Sequence, residues 1–252
     1  MAGFENRNFA RPETVLRTGV QGIDEGLRAY MLSVYNYMAI GLAITGVVAY
    51  AAFSAAVVQT ADGVQLTGFG ALIFQSAFKW VIMLAPLGMV FFLSARINKM
   101  SASSAQLAFW VFAALMGLSL SSIFMVYTGS SIARVFFITA ASFGALSLWG
   151  YTTKKDISGW GSFLFMGLIG IILASIVNIF LGSSALQFAI SVIGVLVFAG
   201  LTAYDTQQIK EMYYAADNSD VMGRKAIMGA LRLYLDFINL FIMLLSLFGN
   251  RD

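Results

Sequence analysis

The sequence predicts an all-α polytopic membrane protein in which seven helices cross the bilayer. Three observations carry this. Of the 252 residues, 60% are hydrophobic and only 11% are charged, with a mean hydropathy of +0.83, whereas soluble domains carry roughly 25% charged residues. Seven apolar runs are each long enough to cross about 30 Å of hydrocarbon at about 1.5 Å per residue. Lys and Arg are divided unevenly between the links that join those runs.

The chain opens on a polar stretch, residues 1 to 30, that mixes Arg11, Pro12, Glu13 and Gly22 without sustained periodicity. It reads as a cytoplasmic tail, and residues 31 to 252 as one transmembrane domain. The first run covers residues 31 to 56. After an external link near residues 57 to 76, the second covers residues 77 to 97 and contains Pro86, whose ring removes a backbone hydrogen bond and predicts a kink. The third (105 to 127) and fourth (131 to 151) carry small-residue pairs, Ala113 with Gly117 and Ala140 with Gly144, that let helices approach closely. The fifth (160 to 181) holds Asn178, read as an interhelical hydrogen-bonding group. The sixth (186 to 208) and seventh (229 to 248) are joined by an internal loop near residues 209 to 228.

Orientation follows from the basic residues. With the N-terminus placed in the cytoplasm, Arg7, Arg11, Arg17, Arg28, Arg96, Lys99, Lys154, Lys155, Lys210, Arg224, Lys225 and Arg232 lie inside, and Lys79, Arg134 and Arg251 outside. This bias fits the positive-inside rule and an odd number of crossings. The net charge of +3 therefore reports topology and gives no support to a nucleic-acid partner.

Absences prune the chemistry. The chain has no Cys and no His, so thiol catalysis, thiolate zinc sites, iron–sulfur clusters and the usual near-neutral proton acceptor are excluded. No cofactor and no permanent metal site are expected. Of the twelve acids, ten fall in tails or links. Asp205, in AYDTQQIK (residues 203 to 210), and Asp236, in LRLYLDFINLF (residues 231 to 241), fall inside apolar runs. An acid near the middle of a membrane helix costs about 2.5 to 3.5 kcal/mol on insertion scales and by default marks a site.

Depth and phase link the two. Lys210 follows Asp205 by five residues, and Arg232 precedes Asp236 by four, so both carboxyls fall at similar depth in the cytoplasmic half. Arg232, Asp236, Asn239, Met243 and Ser246 lie within about 80° on the seventh helix, and Ser191, Gly194, Thr202, Asp205 and Gln208 within about 120° on the sixth, interrupted by Phe198. Each stripe should face protein or a cavity. A structural ion pair of Asp236 with Arg232 is the plainer alternative. Asp205 has no equally close basic partner on its own face. Arg96, in FFLSARINKM (residues 91 to 100), closes the second run at the same level, either as a candidate counter-ion or as a positive-inside anchor.

The segments AYDTQQIK and LYLDFINLFIMLLSLFG (residues 233 to 249), with APLGMVFFLSARI (residues 85 to 97), resemble a bacterial branch of the Bax inhibitor-1, or transmembrane Bax inhibitor motif, family. The resemblance implies six helices surrounding a central, more apolar C-terminal helix in the inner membrane. It also implies a pH-sensitive Ca²⁺ leak controlled by a hydrogen-bonded aspartate pair, matched by Asp205 and Asp236, with Arg96 the positional match for a second-helix arginine that latches to the pair in one state. Physically, two carboxylates in a low-dielectric site cannot both ionise cheaply, so a proton can be shared between them. Asp205, Asp236 and Asn239 offer oxygens to transient Ca²⁺, too few for a closed cage of six to eight ligands.

Two other readings stand beside this one. In the stronger, which the same resemblance implies, the chain is a binding module that regulates a membrane quality-control protease, with residues 1 to 30 as its handle. In the weaker, it is an intramembrane aspartyl protease. Tyr204 with Asp205 reproduces the first short motif of those enzymes, but Leu233, Tyr234 and Leu235 precede Asp236 where a Gly is expected two residues before, and no proline follows Pro86. The expectation is therefore a protein that is not an enzyme, whose partners are Ca²⁺, protons and the lipid bilayer.

Overall fold

A computed structural model describes residues 25 to 60 and 63 to 250. Seven helices are long and apolar enough to cross a membrane: α1 (Glu25–Ala56), α2 (Phe78–Arg96), α3 (Ala102–Leu120), α4 (Gly129–Thr152), α5 (Trp160–Leu181), α6 (Ser184–Glu211) and α7 (Ser219–Phe248). The chain is an integral membrane protein of predominantly α structure. Most of the tail expected over residues 1 to 30 lies outside the described residues, but Glu25 to Tyr30 belong to α1.

Local chemistry sets the boundaries. Ser101, Thr128, Ser183 and Asn218 each accept a hydrogen bond from the backbone N–H three residues on, capping α3, α4, α6 and α7. Gly182 takes the left-handed conformation (φ 59°) that ends α5 and donates its N–H to the Asn178 carbonyl. In the same turn Asn178 donates to Gln187 Oε1 (3.2 Å) and accepts from the Ser183 N–H (3.0 Å), which ties α5 to α6. Helix α2 runs through Pro86 as continuous helix.

Two links differ from expectation. The external link contains an antiparallel hairpin, β1 (Val57–Thr60) with β2 (Gly63–Leu66), followed by a short helical turn (Gly68–Gly70) and a π-turn (Ala71–Gln75). The internal loop is far shorter than residues 209 to 228, because α7 starts at Ser219. Its first turns carry Asp220, Arg224 and Lys225, polar residues that hydropathy counts outside the membrane. They are held in place: Asp220 accepts from the Ala102 N–H (2.8 Å) and Arg224, Arg224 donates to the Met100 carbonyl (2.9 Å), and Lys225 pairs with Asp217.

The core gathers on α7, of whose spanning segment 56% is buried, against 11% for α5. Its main neighbours are α1, α3, α4 and α6, while α2 packs chiefly on α3 and α5 on α6. The helix expected to be the more apolar one is not: the most apolar span is the peripheral α5, not α7. Tyr234, Phe109 and Phe112 form an aromatic centre with ring centroids 5.1 to 6.0 Å apart. Tyr234 OH lies 2.6 Å from Thr45 Oγ1, which donates to the Ala113 carbonyl (2.8 Å).

Of the two small-residue pairs, only the first joins helices. A Cβ on Gly117 would come within 2.6 Å of the Thr45 carbonyl oxygen, whereas one on Gly144 would meet nothing within 4 Å. Ala140 and Gly144 line an open groove instead. Helices α4 and α6 approach closely at Gly150, where a Cβ would lie 2.3 Å from the Ala203 carbonyl oxygen.

Candidate functional site

Helices α6 and α7 run antiparallel with the most extensive helix–helix contact of the fold, and their polar stripes face each other. Near the α5–α6 turn the Ser191 and Ser246 hydroxyls are 3.0 Å apart, with Gln187 Nε2 3.5 Å from each. One turn along, Gly194 makes room for Met243, whose Cγ and Sδ would sit 2.8 Å from an added Cβ. Next, Thr202 donates to the Phe198 carbonyl and Asn239 Nδ2 to the Leu235 carbonyl, both at 2.8 Å, so each bonds within its own helix. The next polar residues along the stripe are Asp205 and Asp236.

The two carboxyl groups come within hydrogen-bonding reach of each other. Asp236 is 5% exposed, and its Oδ2 is buried without a hydrogen-bond partner. Asp205 is half-buried. Two ionised carboxylates are acceptors only and cannot bond to each other. A single proton turns one of them into a donor and removes the cost of an unpaired buried oxygen, about 1 to 3 kcal/mol and more for a charged group. The geometry therefore suits a pair that holds one proton.

The basic surroundings are set by α7. Arg232 is the cation whose charge reaches both aspartates, and it also acts on Tyr30. It is exposed, and the one-turn ion pair with Asp236 does not form: the ion pairs among the described residues are Arg224–Asp220 and Lys225–Asp217. Asp205 thus gains a basic neighbour from across the interface. Lys210, one turn beyond Asp205, is turned away, donating to the Tyr151 carbonyl (2.9 Å) and lying 5.3 Å over that ring. Arg96 is exposed at the end of α2 and makes no ion pair or side-chain hydrogen bond among the described residues.

One residue of this region escaped the sequence reading. Tyr30 is 3% exposed, its OH is buried without a partner, and its ring lies 5.7 Å from Tyr213. Polarity alone places it in the tail, yet Tyr30, Val34, Met38, Gly41 and Thr45 recur at helical spacing and are all buried on α1. That periodicity is the signal that would have found it.

No group of three or more Asp or Glu side chains able to hold a metal ion occurs among the described residues. Asn239 lies one turn from Asp236 on α7.

Residues 27 to 252 match the family model described as inhibitor of apoptosis-promoting Bax1. The chain is 52% identical over 229 residues to the inner membrane protein YbhL of Escherichia coli K12, covering 90% of this chain and 93% of that protein. It is 51% identical over 228 residues to an uncharacterized protein of Rickettsia prowazekii, covering 90% and 92%. With an uncharacterized protein of Caulobacter vibrioides it shares 46% identity over 249 residues, 98% of each chain.

Proposed function

The chain belongs to the Bax inhibitor-1 family, and from that premise we propose that it is a proton-gated cation leak, with Ca²⁺ as the conducted ion, in a bacterial inner membrane. The inner-membrane assignment rests on the likeness to YbhL, and the cytoplasmic placing of the N-terminus on the distribution of Lys and Arg. The proposed activity is transport, with no covalent bond made or broken.

One observation carries the proposal: Asp205 and Asp236 face each other in the protein interior, with Asp236 Oδ2 lacking any donor. With one proton the pair ties α6 to α7. Without it, two like charges repel in a low-dielectric site, and the interface must part, draw Arg232 inward, or admit a cation. Ca²⁺ suits carboxylate and amide oxygens, and two carboxylates with the Asn239 amide, uncovered as the interface parts, would make a site weak enough to release the ion. Arg232 is the basic partner in the state described here. Arg96 would engage the pair in a second state, reached by movement of α2, which rests mainly on α3.

The test is Ca²⁺ entry into liposomes reconstituted with the full chain, followed over a pH series. The wild-type rate should change with pH, and the Asp205→Asn and Asp236→Asn proteins should give flat profiles. Variants that retain the wild-type profile would overturn the reading.

A further inference from the structure

Helices α1 and α4 flank α7 but leave a lateral groove of about 1180 Å³ between them, floored by Phe237 of α7. We propose that this groove binds one anionic phospholipid from the leaflet on the Arg28 side, with its headgroup at Arg28 and one acyl chain laid along the groove.

Charge fixes the direction. Arg28 is the sole charged residue among the described residues that line the groove, and it stands at one end. The polar wall groups Tyr35, Ser147 and Tyr151 lie toward that same end, while the opposite end is closed by Val47, Phe124 and Gly129. Tyr35 is fixed in place by a 2.7 Å hydrogen bond to Ser147, which in turn lies 2.8 Å from Thr206 Oγ1. The groove is thus apolar along its length and cationic at one mouth, the polarity of an amphiphile with an anionic head.

Length and width choose a lipid over a helix. From Arg28 to Leu42 is 14 residues, about 21 Å of helix, or half of a bilayer about 40 to 45 Å thick with its headgroups. An acyl chain anchored at Arg28 ends at that depth. There a second, narrower cavity of about 90 Å³ opens from the groove, sharing Leu42, Gly46, Phe136 and Phe237 with it. A helix about 10 to 12 Å across cannot enter such a cleft, whereas a chain terminus can. The exposed rings of Phe136 and Phe137 also break the small-residue stripe that a docking helix would need.

Photocrosslinking of the full chain in nanodiscs tests this, using photoactivatable phosphatidylglycerol or phosphatidylcholine and mapping the labelled peptides. An added Cβ at Gly46 or Gly144 meets nothing within 4 Å, so Gly46→Phe and Gly144→Phe fill the groove without entering the core. Phosphatidylglycerol should label α1 and α4 in the wild type, and both filled variants should lose that label. Arg28→Gln should reduce the preference for phosphatidylglycerol over phosphatidylcholine about fivefold. Equal labelling by the two lipids in the wild type would overturn the proposal without requiring any variant to fold. So would undiminished labelling of a filled variant, or a dimer crosslinked through α1 and α4 with no lipid in the groove.

Discussion

Asp205 meets Asp236 across the α6–α7 interface, and Asp236 Oδ2 has no donor in reach. The two acids come from helices whose other contacts hold them in register: Ser191 against Ser246, and Gly194 against Met243. A movement of either helix therefore changes the distance between the carboxyls, and a change in their charge acts on the helices.

Asp236→Asn and Asp236→Ala should separate the charge from the contact. The amide of Asn donates to Asp205 as a proton-sharing pair would, so this variant should unfold in detergent at or above the wild-type temperature. Alanine leaves a hole and removes the partner of Asp205, and should destabilise by about 1 to 3 kcal/mol. Thermal unfolding of the two proteins side by side checks this.

Removing the charge of Arg232 makes a carboxyl proton harder to lose, because the cation favours the ionised pair. Arg232→Gln should therefore move the midpoint of the pH–flux profile to higher pH. Arg96→Gln removes the cation proposed for the second state, so it should move that midpoint in the same direction, although Arg96 makes no ion pair in the state described here. An unchanged midpoint in Arg96→Gln would remove Arg96 from the gate.

The sign for the interface follows from charge alone. The shared proton is present at low pH and lost as pH rises, so the α6–α7 contact should loosen toward alkaline pH. Amide hydrogen exchange across residues 198 to 209 should quicken as pH rises, beyond the intrinsic chemical dependence, and the excess should vanish in Asp236→Asn.

Packing predictions are independent of transport. Gly150→Ala forces a methyl toward the Ala203 carbonyl oxygen, and Gly117→Ala toward that of Thr45. Each should cost about 1 to 3 kcal/mol. Gly144→Ala faces open space and should gain up to about 1 kcal/mol from helix propensity. Unfolding midpoints in one detergent rank the three.

Most of the fold was legible because hydropathy and helical period report directly on burial in a bilayer. The fifth span, residues 160 to 181, coincides with α5. What escaped lies where those signals stop. The first turns of α7 are polar, and only Asn218 as a cap announced a helix there. The external hairpin was announced by Asp62–Gly63 between two Val- and Gln-bearing runs, a local turn signal that hydropathy does not register.

The site was legible in part for the same reason. A stripe of polar residues every three or four positions gave Asp205 and Asp236 a face and a depth. Partners drawn from other helices were not readable, because spacing along one helix carries no interhelical distance. Arg232 was therefore read as a neighbour of Asp236 alone, although its charge also reaches Asp205. Ala140 and Gly144 have the spacing of a helix contact yet line a groove, since a small-residue pair states what could approach and not what does.

Infrared spectroscopy of the carboxyl C=O stretch, with the protein in liposomes and titrated over pH, tests the shared proton most directly. The wild type should show a protonated-carboxyl band that disappears over the same pH range in which Ca²⁺ flux changes, and Asp205→Asn and Asp236→Asn should each abolish that coincidence. Fully ionised carboxyls throughout that range, with flux still changing, would contradict the account.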